Sequence, residues 1–253
     1  MLQRPLLITS IVLAAILAAV PAAAAPGGGY VGVSAGYGWS HAKARTATSF
    51  DPANYLLVTS VPAVNATGRQ TIRPHGVIGG LDAGYDFHSG KLLFGVAADI
   101  SLLHGSDAAT DFTTYPCCAP FGFTIRQAIK TRWMATARAR VGYDLGNAAL
   151  YVTGGYAGLK ARYSARFSDD FADALEQGSR SQYRSGWVAG VGADIKVGTQ
   201  FSVQPEYLHA DFGHANAPGG TFTDSGTTTW PDVFTHRAKI KTDIARVGLH
   251  YHF

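Results

Sequence analysis

From Ala245 to Phe253 apolar and polar positions alternate without a break. Ala245, Val247, Leu249, Tyr251 and Phe253 fall on one face, and Arg246, Gly248, His250 and His252 on the other. A two-residue period marks a strand with two unlike faces. It recurs over residues 30–39, 76–87, 92–102, 132–143, 148–159, 186–196 and 201–210. The segment 92–102 is the clearest, with Leu92, Phe94, Val96, Ala98, Ile100 and Leu102 set against Leu93, Gly95, Ala97, Asp99 and Ser101. Short turn sequences join strands in pairs at His88-Ser89-Gly90, Asp144-Leu145-Gly146-Asn147 and Val197-Gly198-Thr199. Pro205 removes a ladder hydrogen bond from its strand and predicts a bulge there. Residues 40–73, 104–131, 160–185 and 211–241 are rich in Ser, Thr, Asn, Asp and Pro, and read as long surface loops without regular structure.

The face that carries the aromatic and aliphatic side chains is poor in charge, while the other carries acids, bases and glycines. A soluble lipocalin-like barrel would hold its apolar residues inside, around a ligand. Here the apolar phase must face lipid. The reading is therefore an all-β, eight-stranded antiparallel transmembrane β-barrel with short periplasmic turns and four long surface loops. Composition agrees: 30 Gly, 13 Phe, 12 Tyr and 4 Trp stand beside only 15% charged residues. At the start, Arg4 precedes the apolar run from Leu6 to Val20 and the small-residue tract 21–26, the layout of a secretory signal peptide. Cleavage after Ala24 makes residues 1–24 the signal and 25–253 one barrel domain. The run is short for the rival reading, an uncleaved helical anchor, which needs about 20 apolar residues.

The inward phase holds Asp82, Asp86, Asp99, Asp194 and Glu206 against Arg132, Arg138, Arg140, Lys196 and Arg246. An eight-stranded barrel is just wide enough to be filled by its own side chains, so these charges are expected to form a desolvated, mutually paired network. Inward glycines leave room for the arginines, and Glu206 and Arg246 lie at similar depth on adjacent strands. Both signs spread over many strands describe a plug better than a catalytic acid–base pair. His250 and His252 share a face, and His209 and His214 lie near Asp211, but neither set specifies a metal site. Asp169, Asp170 and Asp173 read as a solvated acidic loop. The only two cysteines, Cys117 and Cys118, are adjacent; a loop-tip disulfide or a pair of idle thiols is expected, with no cofactor. The formal net charge of +4 is too small and too dispersed for a nucleic-acid partner.

Tyr30-Val31-Gly32-Val33, Ala139-Arg140-Val141-Gly142-Tyr143, residues 150–155, residues 186–192, Glu206-Tyr207 and the closing segment to Phe253 together resemble the small outer-membrane β-barrel family. That family includes the OmpA-type transmembrane domain and the porin-like surface antigens of alphaproteobacteria. The resemblance implies insertion by the barrel-assembly machinery, which reads the last strand and makes Leu249, Tyr251 and Phe253 the assembly signal. It also implies outer-membrane lipid and lipopolysaccharide as surroundings, and roles in envelope integrity and surface interaction through the loops. Asp194 stands where the family often has Glu, the first two loops are long, and the cysteine pair is unusual. No peptidoglycan-binding domain follows Phe253, so tethering is not expected. A narrow porin is the alternative function, and a barrel-type lipid-modifying enzyme or surface protease the third.

Overall fold

The computed structural model describes residues 27–253 apart from 54, 226–227 and 231–233; the expected signal segment lies outside the described residues. In chain order the elements are β1 (Gly27–Thr48), α1 (Val61–Thr67), β2 (Arg69–Ile72), β3 (His75–Ser89), β4 (Leu92–Thr114) and β5 (Gly122–Asp144). They continue as β6 (Ala148–Asp169), β7 (Leu175–Val197), β8 (Phe201–Ala217), β9 (Phe222–Asp224), β10 (Thr228–Trp230) and β11 (Phe234–His252). The eight long strands β1, β3, β4, β5, β6, β7, β8 and β11 form a closed antiparallel ring, completed where β1 meets β11 from Tyr30↔His252 to Thr48↔Phe234. Gly90, Gly146 and Gly198 hold positive φ in the three short turns, a conformation that costs glycine no Cβ clash.

Two expectations are corrected. The segments read as loops are largely strand: β1 runs on to Thr48, β4 to Thr114, β6 to Asp169 and β8 to Ala217, while β5, β7 and β11 begin at Gly122, Leu175 and Phe234. The two-residue period persists there with its polarity reversed, so that Ala42, Ala44 and Thr46 are buried while Lys43 and Arg45 are exposed. Pro205 causes no bulge. The β8–β11 register runs unbroken through Val247↔Pro205, and β7–β8 loses only the pairs between Gly192↔Glu206 and Ile195↔Val203. The register shifts lie elsewhere, at Leu102/Gly105, Thr131/Trp133 and Lys239/Lys241.

The outward face divides the barrel into two halves. Nearest the short turns it is apolar, ending at Trp39, Val77, Leu102, Trp133, Trp187 and Tyr207. The next outward positions on those strands include His41, His75, His104, Arg132 and His209. On β5 the apolar band spans Tyr143 back to Trp133, the length of one tilted membrane crossing. The outer half is therefore a barrel extension beyond the membrane. Its β1–β4 side is completed by α1 and β2: Val64 is buried, Thr46 N–H donates to Gly68 O at 2.9 Å, and the Thr67 and Thr113 hydroxyls meet at 2.7 Å.

Candidate functional site

Within the membrane half, five strands send charged side chains to one level of the lumen. Arg138 on β5 lies between Asp99 (Nη2–Oδ1 3.0 Å) and Glu206 (Nη1–Oε1 2.6 Å). Arg246 on β11 reaches Glu206 at 2.7 Å, Asp99 at 3.0 Å and Asp82 at 3.3 Å. Thr136 donates to Asp99 at 2.5 Å and the Tyr151 hydroxyl to Glu206 at 3.1 Å. All five charged side chains are buried, so each guanidinium is worth keeping only because it bridges several carboxylates. One layer nearer the periplasm, Arg140 faces Asp86 at 3.3 Å and Asp194 at 3.9 Å, donates to the Tyr30 oxygen at 2.6 Å, and lies 4.0 Å over the Tyr151 ring. Gly95 and Gly192 make this possible: a Cβ at either would fall 2.0 Å from Asp86 Oδ1 or 2.3 Å from the Tyr151 hydroxyl.

Two expected members do not join these layers. Arg132 is the extra residue of the Thr131/Trp133 bulge, which shifts the parity of β5, and it points outward. Lys196 lies past the last luminal layer; its side chain is 54% exposed and extends to the Asp144 carboxylate at 3.4 Å and the Gly146 carbonyl at 3.0 Å. His250 stacks on Tyr30 at 4.8 Å, and His252 packs on the same ring at 5.6 Å while its imidazole meets the Ser202 hydroxyl at 2.8 Å, so the pair flanks an aromatic side chain. On the closing strand, Leu249 and Tyr251 lie opposite Val33 and Val31 with exposed side chains, and Phe253 N–H donates to Gly29 O at 3.0 Å. Cys117 and Cys118 are disulfide-bonded in the β4–β5 connection.

Above the charges comes an apolar layer that includes Ile78, Leu103, Met134, Leu159, Leu208 and Ile244, all buried. A second polar layer follows. Glu176 and His236 pair at 3.1 Å, the second imidazole nitrogen meets the Thr46 hydroxyl at 2.9 Å, and Gly220 N–H donates to Glu176 at 2.6 Å. Gln127 donates to Gln70 at 3.0 Å, and Gln70 to Asp111 at 2.9 Å. Hydroxyl, imidazole and carboxylate in a row are the groups of a nucleophile relay, yet Thr46, His236 and Glu176 are each 2% exposed or less, which leaves a substrate no approach. The outer end is closed by Leu56, Tyr115, Phe123, Phe167, Phe222 and Phe234. There Asp169 accepts from Tyr55 at 2.5 Å and Tyr115 at 2.9 Å. Burial, reinforced by that carboxylate, raises both phenol pKa values and keeps them as donors. Asp169 is thus a buried clasp, not part of a solvated acidic loop.

Sequence reasoning passed over the residues of these outer layers because it treated their segments as loops. The signal was present: Ala161, Tyr163, Ala165 and Phe167 alternate with Arg162, Ser164, Arg166 and Ser168.

The chain is 26% identical over 226 residues to the 25 kDa outer-membrane immunogenic protein of Brucella abortus, covering 89% of this chain and 78% of the relative. It is 28% identical over 230 residues to the 31 kDa outer-membrane immunogenic protein of Brucella melitensis, covering 89% and 83%. Among solved structures, the outer membrane protease OmpT of Escherichia coli aligns over 89% of this chain and 97% of its own, with a TM-score of 0.46 at 11% identity. Residues 10–253 match the outer membrane protein beta-barrel domain. The chain belongs to that family and is an outer-membrane β-barrel of a Gram-negative bacterium, surrounded by lipid and lipopolysaccharide.

Proposed function

We propose that this protein is a non-conducting, non-catalytic barrel that supports the outer membrane and presents a rigid, closed outer end for surface interaction. The observation that carries the reading is the order of the lumen, in which two charged layers, an apolar layer, a buried polar layer and an aromatic closure stand in series. The charged layers alone would suit a narrow porin. An ion would then have to cross the apolar layer, where nothing replaces its hydration shell. Each of the five carboxylates in the membrane half of the lumen lies within 4.0 Å of an arginine, and Glu176 above them is sealed against His236, which argues against a free acid–base pair. The immunogenic relatives support exposure of the outer end to the surroundings. Insertion by the barrel-assembly machinery, guided by Leu249, Tyr251 and Phe253, belongs to the same proposal. Planar-bilayer recordings of the refolded protein should show no steady conductance. Stable single-channel openings would replace this reading with the porin.

A further inference from the structure

Just beyond the membrane edge, the outer wall of β5 and β6 carries Arg126, Lys130, Arg132, Lys160, Arg162 and Arg166. The register sets Arg126 directly opposite Arg166, and Lys130 directly opposite Arg162. Like charges facing each other across a ladder destabilise it, and neither row has an acid to relieve it. Among the described residues, none of the six forms an ion pair with a carboxylate. The nearest acids are engaged elsewhere: Asp107 by the Arg73 N–H, Asp111 by Gln70, Asp169 by the two tyrosines and Asp170 by the Gly122 N–H. On the other basic face Asp211 lies 3.4 and 3.5 Å from Lys239 and Lys241, while Arg45 stands opposite Arg237 and Arg69 without an acid among the described residues. That face has like charges too, and what sets the β5–β6 facet apart is the aromatic edge beneath it, over which Lys160 lies.

Position indicates what neutralises the acid-free facet. Its side chains continue the outward phase that faces lipid one turn of the pattern lower, directly above an aromatic edge. Trp133 and Tyr183 pack at 5.6 Å, and Lys160 lies 5.0 Å over the Tyr183 ring. Such a surface looks sideways at the headgroups of the outer leaflet, not out at bulk solution. Hydroxyls are interspersed with the cations: Arg126 donates to Thr110 at 3.2 Å and Arg162 to Ser179 at 3.1 Å, with Ser164, Ser168 and Ser181 alongside. Guanidinium forks with neighbouring hydroxyls suit phosphate esters on a sugar. We propose that this facet binds the phosphorylated sugar headgroup of an outer-leaflet glycolipid, with the paired rows Arg126–Arg166 and Lys130–Arg162 clamping its phosphates.

The proposal rests on the envelope-support reading above. Its test measures binding directly, so a barrel that supports the envelope while ignoring glycolipid phosphate would fail here and not there. The full-length mature protein in neutral phosphatidylcholine nanodiscs would be titrated with fluorescent bis-phosphorylated lipid A and with the same lipid after enzymatic dephosphorylation. Each cation near an anionic surface contributes roughly fivefold. The variant Arg126→Gln/Lys130→Gln/Arg162→Gln/Arg166→Gln should therefore lose about 600-fold in affinity for the phosphorylated form. Heat-modifiable migration on a detergent gel would certify each variant as folded. Should the fourfold variant not fold, Arg126→Gln/Arg166→Gln should still lose about 20-fold. Equal binding of the phosphorylated and dephosphorylated lipids would overturn the proposal. So would an equal loss in Lys43→Gln/Arg45→Gln/Arg69→Gln/Arg237→Gln on the other face, or displacement of lipid A by soluble heparin at matched anion concentration.

Discussion

Odd-numbered residues of β1 face outward along its whole length, yet Val31, Val33 and Tyr37 are apolar while His41, Lys43 and Arg45 are not. Inside, the order is reversed, from the charge network around Arg246 to the buried Ile78, Leu159 and Ile244. On β1 the strand and its register with β11 run unbroken across the two halves, while bulges at Leu102/Gly105 and Thr131/Trp133 fall at the boundary on β4 and β5; the medium outside the wall changes there. Lipid forces polar groups inward, where they must pair with one another. Water or headgroups outside let the same lumen fill with apolar side chains, which need no partners. The argument that separated this barrel from a lipocalin-like one therefore holds for the membrane half alone.

The two halves should respond differently to substitution. The largest effect is expected in the charged lumen: Arg246→Met should cost about 3 to 5 kcal/mol because it strands buried carboxylates, and Glu206→Leu added to it should cost much less than the sum. Urea unfolding in lipid vesicles of both single variants and the double would measure the coupling. Additive losses would mean that the charges are solvated separately and that the lower lumen is a water path. On the outer wall, Val96→Arg should cost about 2 to 4 kcal/mol where the exterior is lipid. Ala128→Arg, in the extension, adds one more cation between Arg126 and Lys130 and should cost only about 0.2 to 1 kcal/mol. Equal costs by the same unfolding assay would erase the boundary.

A smaller loss, about 1 to 3 kcal/mol, is expected for Thr46→Val, which leaves one nitrogen of the buried His236 without its partner. An unchanged unfolding midpoint would show that water reaches the outer lumen. The smallest effect concerns the periplasmic turn, where the Gly146 N–H, and then Lys196, hold the Asp144 carboxyl below its usual pKa. A lowered folded-state pKa gives stability that is present above the ordinary aspartate range and fades as pH falls through the lowered value. The stability gap between the protein and Asp144→Asn should then be widest near neutral pH and close on acidification. A gap independent of pH would assign the turn to shape alone.

Asp99 could be placed inward from sequence because it alternates with Ala98 and Ile100 on an unbroken strand, and Arg138 and Arg140 because they follow the parity of β5 below its bulge. Arg132 could not. One inserted residue reverses parity, and nothing local distinguishes a bulged arginine from a luminal one. Glu176, His236 and Thr46 escaped for a related reason: a search tuned to apolar outward faces reads a reversed pattern as loop. The two-residue period by itself determined that the chain is a sheet, that its membrane face is apolar and that the closing strand ends at an aromatic residue, because alternation is a property of each strand alone. Which charges meet across the lumen, where parity breaks and how far the wall rises above the membrane were decided only by the closed barrel. Those features depend on register between strands distant in sequence and on the medium that each side of the wall meets.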